Sequence, residues 1–124
     1  MVSRTGTAIR GNAKALSKTI CIALTKARKK AKKNKYEIHH IAAQRASAAE
    51  YSRRILNQVG VGIHSETNKV PVKYNLHRHL HTNSYHNRTL IQTAYTKSVN
   101  KRNAVIATLY YIRTILLSAN KVTP

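Results

Sequence analysis

Two short runs, Y-E-I-H-H-I-A (36–42) and V-P-V-K-Y (70–74), are rich enough in β-forming residues to read as strands, and they limit the possible folds more than any other feature. Pro71 sits near the start of the second run, where an edge strand tolerates a missing N–H. The other periodic segments are helical. From Ala13, the residues Ala13, Leu16, Ile20, Ala23, Leu24, Ala27 and Ala31 recur at three- and four-residue spacing. Ala48, Tyr51, Ile55 and Val59 mark a second helix, closed by Gly60 and Gly62 and carrying Arg45, Arg53 and Arg54 mostly on its outer side. Helical spacing resumes around His77 and continues to about Lys97. A last helix, from about Lys101 to Ala119, is apolar almost throughout except at Arg113. It is expected to be a buried core helix, with membrane association as the alternative.

The order helix, strand, helix, strand, helix, helix gives an α+β domain that is mostly helical. Residues 1–11 (MVSRTGTAIRG) read as a flexible leader or linker remnant, and residues 12–124 as one domain with room for a modest core.

Charge narrows the function. The chain carries 23 Lys plus Arg against three acidic residues, a formal net charge of +20, which calls for a polyanionic partner. Nucleic acid fits best, because the cations are spread over most of the chain and no apolar span is long enough to cross a bilayer. Stable membrane association is not expected. The run K-A-R-K-K-A-K-K-N-K (26–35) has three open readings: a solvated helix end, a phosphate-binding strip formed by Lys29, Lys30, Lys32 and Lys33, or a localisation signal.

The acids are Glu37, Glu50 and Glu66, with no Asp. A carboxylate-bridged pair of metals, or paired carboxylates working as acid and base, would need more acid than this chain can assemble. Any hydrolytic chemistry must therefore rest on imidazole. Cys21 is the single cysteine, which excludes an intrachain disulfide and a cysteine zinc cluster, and it reads as a small core residue. With no Trp or Phe, aromatic packing and base stacking fall to seven tyrosines.

The histidines are concentrated. His77, His79, His81 and His86 fall within ten residues, and His39 and His40 are adjacent. On a helix His77 and His81 share a face, a common half-site for a transition metal, while His79 points away. Simple surface placement is the competing reading of that pair. On a strand His39 and His40 point to opposite sides and cannot jointly chelate one ion. They need different roles, or are one core and one exposed histidine.

The run E-I-H-H-I (37–41), then R-R-I-L-N-Q-V-G-V-G-I-x-S-x-x-N (53–68), then V-P, then H-R-x-L-H-T-x-x-Y (77–85) resembles the AHH group of nuclease toxins. These are a branch of the HNH, or His-Me finger, endonucleases and form the C-terminal warheads of bacterial polymorphic and contact-dependent toxins. The likeness covers roughly residues 36–97, where it implies a small ββα-metal core flanked by N- and C-terminal helices. It also implies His39, His77 and His81 as ligands of one divalent metal ion (Zn, Ni, Mn or Mg). His40 would be the general base, with Asn68 holding the loop that positions it. Tyr85 and Arg88 fall on or near the His77–His81 face and are candidates for phosphate binding, with ordinary packing or surface exposure as the alternative. Ile38 stands where the family has Ala, and His64 where it usually has Asn, so a metal, a phosphate and solvent are all open as partners of His64.

The resulting expectation is a metal-dependent endonuclease, with DNA preferred over RNA because the resemblance leans that way. An RNase with the same site and a non-catalytic basic module with a structural metal are the alternatives. As a toxin domain it would need a cognate acidic immunity protein. No signal-peptide pattern opens the chain, so export would be directed by a longer parent protein, with action in the target-cell cytoplasm.

Overall fold

The computed structural model describes residues 16–26, 35–80 and 89–123. Lys29, Lys30, Lys32, Lys33, His81, Tyr85 and Arg88, and the leader 1–11, lie outside these residues.

Helix α1 occupies 16–26 and turns Leu16, Ile20 and Ala23 inward. This spacing leaves Cys21 on the solvent side, so the expectation of a core cysteine is corrected: its thiol is exposed. Strand β1 (Tyr36–His40) pairs antiparallel with β2 (Lys69–Lys73), His39 opposite Val70 and His40 opposite Lys69. Between them, a single turn at Ser47–Ala49 leads into α2 (Glu50–Gln58). The end of α2 follows from Gly60, whose φ of +73° suits a residue without a Cβ. There Gly60 N–H donates to Asn57 O and Val61 N–H to Leu56 O, the paired bonds of a Schellman stop.

Helix α3 (Tyr74–Leu80) begins three residues before the position its periodicity suggests. Tyr74 N–H donates to Lys35 O, so Tyr74 closes the strand ladder and opens the helix at once. Helix α4 (Thr89–Lys97) is followed by α5 (Lys101–Val122), capped by Asn100, whose side chain accepts from Asn103 N–H.

The expected α+β, mostly helical architecture is present, with β1, β2 and α3 forming a ββα unit. The core joins Val70 and Val72 of β2 to Leu76 and Leu80 of α3 and to Leu109, Ile112 and Leu116 of α5. Helix α5 is buried along one stripe, while Tyr110, Tyr111 and Leu117 face solvent, so it is half a core helix. No described helix is long and apolar enough to cross a membrane.

Side chains of α5 complete the outer edge of β2. Asn120 accepts from Lys73 N–H and donates to Pro71 O, and Arg113 donates to Lys69 O. These bonds answer backbone groups that β1, on the other side, cannot reach.

Candidate active site at the open edge of the ribbon

The alternation along β1 separates its two adjacent histidines. His39 points inward with no exposed surface, and its ring meets that of His77 edge-on, with centroids 5.0 Å apart. His40 lies on the other face, half-buried, in a cavity of about 430 Å³ that it lines with Ile38, Ala43, Gln44, Arg45 and His77. The two histidines are thus a core residue and a cavity residue.

His77 is oriented by a residue that sequence reasoning did not single out. Its Nδ1–H donates to Glu37 Oε1 at 3.0 Å, and Arg78 reaches Glu37 Oε2 at 3.4 Å. The His77 bond, followed by the positive charge of Arg78, holds the Glu37 carboxyl below its ordinary pKa despite its burial. With Nδ1 committed, His77 Nε2 remains the nitrogen that could coordinate an ion. A carboxylate behind a metal-binding imidazole is the usual way to fix its tautomer and raise its basicity. The signal was available: Glu37 and His39 are two apart on one strand and so share a face.

The donor set therefore fits a divalent cation in part. The structure brings together His39 and His77, two of the three expected ligands, and adds Glu37 behind one of them. His81 lies outside the described residues, and among those described no three His, Cys, Asp or Glu side chains converge as a metal group.

On the cavity side, His40 Nε2 stands 3.2 Å from His64 Nδ1, and the Gln44 side-chain nitrogen lies 3.1–3.2 Å from the His40 ring nitrogens. An amide nitrogen can only donate, so Gln44 favours a ring that still has a lone pair, the neutral form. Burial, followed by the charges of His64, Lys69 and His77, likewise lowers the His40 pKa. His40 is thus a neutral imidazole at pH 7, and the partner the structure gives His64 is none of the three left open by the sequence but His40 itself.

The side-chain hydrogen bonds of Asn68 go to backbone rather than to His40. Fully buried, Asn68 accepts from Ala42 N–H at 2.8 Å and donates to Ala42 O and Ile63 O. It thereby ties the segment after His40 to the segment that carries His64. Arg53, expected on the surface, donates to Ala43 O at 2.9 Å and Ala46 O at 2.7 Å. Loop 42–46 is consequently held at both ends, by Asn68 and by Arg53. The sequence pattern could not reveal this, because both anchors depend on tertiary contacts.

A model of the AHH family, described as a nuclease family of the HNH/ENDO VII superfamily with conserved AHH, matches residues 23–109. In the conserved triplet this chain has Ile38 before His39 and His40. No curated protein and no solved structure matches the chain.

Proposed function

The chain belongs to the AHH family of nucleases, and from that premise we propose that it is a metal-dependent endonuclease hydrolysing phosphodiester bonds, DNA first, as the toxin domain of a larger bacterial protein. One observation carries the reading. A neutral imidazole, His40, opens into a cavity beside the His39–His77 pair, and Glu37 fixes the outer member of that pair.

In this scheme a water molecule in the cavity attacks the phosphorus while His40 takes its proton at a ring nitrogen. The bond from phosphorus to the 3′ oxygen breaks, and the charge leaves with that oxygen. His39, His77 and His81 would hold the divalent ion, which when bound supplies Lewis-acid stabilisation of the charge on the reacting phosphate. Gln44 and His64 both contact the base ring, while Asn68 and Arg53 fix the segments that bear them. General-base assistance of this kind contributes on the order of 10²–10⁴ in rate.

The net charge of +20 supports a polyanionic substrate and, for a toxin that its producer must survive, an immunity protein rich in Asp and Glu. The resemblance to nuclease toxins supports delivery by an exported or surface-borne parent protein and action in the target-cell cytoplasm.

The test is to incubate the purified protein with plasmid DNA and with total RNA, adding Mg²⁺, Mn²⁺, Ni²⁺ or Zn²⁺ after chelation. Plasmid nicking restored by a divalent ion is expected. Cleavage of RNA alone would replace DNA as substrate, and binding without any cleavage would leave a non-catalytic module.

A further inference from the structure

Six arginines lie among the described residues, and five are occupied. Arg53 bonds Ala43 O and Ala46 O, Arg54 pairs with Glu50, and Arg78 pairs with Glu37 while lying over the Tyr74 ring. Arg102 donates to Val59 O and Arg113 to Lys69 O. Arg45 has no ion-pair or hydrogen-bond partner among the described residues, although it lines the cavity that holds His40. Its loop is the one that Asn68 and Arg53 pin at either end. An exposed guanidinium without a partner, on a braced loop, is pre-organised for an anion supplied from outside.

The rest of the cavity indicates what accompanies that anion. Ile38, 59% exposed where the family has the conserved Ala, forms the apolar part of the cavity lining with Ala43 and Ala46. A volume of about 430 Å³ falls within the range of pockets that take a small organic ligand. It is large enough for a sugar and base, and a bare phosphate would leave most of it unfilled.

We infer that this cavity is a nucleotide subsite beside the scissile bond. Arg45 binds the neighbouring backbone phosphate, and the Ile38–Ala43–Ala46 wall takes the sugar or base between the two phosphates. The inference rests on the nuclease reading for the position of the scissile phosphate, but not for the binding of a polyanion at Arg45. A guanidinium contact to the backbone reads no base, so the subsite favours length of strand over sequence.

Binding and cleavage are measured separately. In the His40→Ala background, the affinity for a fluorescein-labelled DNA duplex is followed by anisotropy across a salt series. Adding Arg45→Ala is expected to weaken binding about tenfold at low salt, as losing a charged hydrogen bond would. It should also flatten the slope of log affinity against log salt by about 0.9, one phosphate contact. Arg45→Lys should keep the slope, and Arg54→Ala, whose guanidinium already pairs with Glu50, should keep both slope and affinity.

With His40 intact, Arg45→Ala should raise KM and leave kcat within about twofold, since the contact is made equally in ground and transition states. An unchanged slope and affinity would overturn the inference, as would an equal loss with Arg54→Ala. A fall in kcat at constant KM would move Arg45 to the scissile phosphate and overturn the neighbouring-subsite assignment. If the parent protein binds duplex but never cuts it, the nuclease reading fails, and the salt slope still decides whether Arg45 holds a phosphate.

Discussion

The two edges of the β1–β2 ribbon are treated in opposite ways. Along β2, Asn120 and Arg113 answer the outward backbone groups, and Lys73 Nζ donates to Thr123 O at 2.7 Å. On the β1 side Ile38 is exposed, His40 opens into the cavity, and Arg45 has no partner among the described residues. One side is completed by the fold, and the other opens onto the cavity that we propose receives the substrate. The lesson is that polar side chains of the same type serve different ends in this small domain: Asn68, Asn120, Arg53 and Arg113 satisfy backbone, whereas His40 and Arg45 face outward.

The comparison can be broken at several points. The largest effect is expected from His40→Ala on the open edge, where cleavage should fall by about 10²–10⁴-fold. Stability should fall by only about 0.5–1.5 kcal/mol, the loss expected for a half-buried side chain with modest hydrogen bonds. Kinetics and urea unfolding on one preparation measure both, and cleavage at the parental rate would transfer the base role elsewhere. Glu37→Gln comes next. Weakening the anchor behind His77 should lower divalent-metal affinity by about 10–100-fold while the circular dichroism spectrum is unchanged. Parental affinity in that variant would make Glu37 an ordinary ion-pair partner of Arg78.

The sealed edge gives the opposite signature. Asn120→Ala leaves Lys73 N–H and Pro71 O without their side-chain partner and should cost about 1–3 kcal/mol of stability for each group left unsatisfied. Cleavage per folded molecule should be retained. A variant as stable as the parent but slow to cleave would show that the two edges are not separate.

The smallest effect sharpens the open edge. His64→Ala removes one hydrogen bond to the base and should slow cleavage about fivefold, in line with roughly 1 kcal/mol. His64→Asn should recover most of that loss, because its side-chain amide can stand where Nδ1 stands now. Recovery by Gln but not Asn would place the contact at the wrong atom.

The same contrast explains what the sequence made legible. Both strands, the Gly60 stop of α2 and the opposite facing of His39 and His40 follow from local period and backbone chemistry, and all are found. The pairing of His39 with His77 was reached by resemblance, since nothing local brings residue 39 to residue 77. Tyr74 shows where periodicity fails: a long-range bond to Lys35 O moves the start of α3. The exposure of Cys21 escapes the pattern because a helix of mixed small residues does not reveal which face turns inward. Arg53, Arg113 and Arg45 carry no local signature that separates a bracing cation from a free one. That distinction depends on which carbonyls the fold leaves within reach.

The central claim is that adjacent histidines on β1 divide the work, the inner one holding metal with His77 and the outer one acting as base. It is tested most directly by calorimetric titration of a divalent ion into the parent protein and its His40→Ala and His77→Ala variants. One ion per chain with near-parental affinity is expected for His40→Ala, and a marked loss for His77→Ala. An equal loss in both variants would make His40 a ligand and contradict the division.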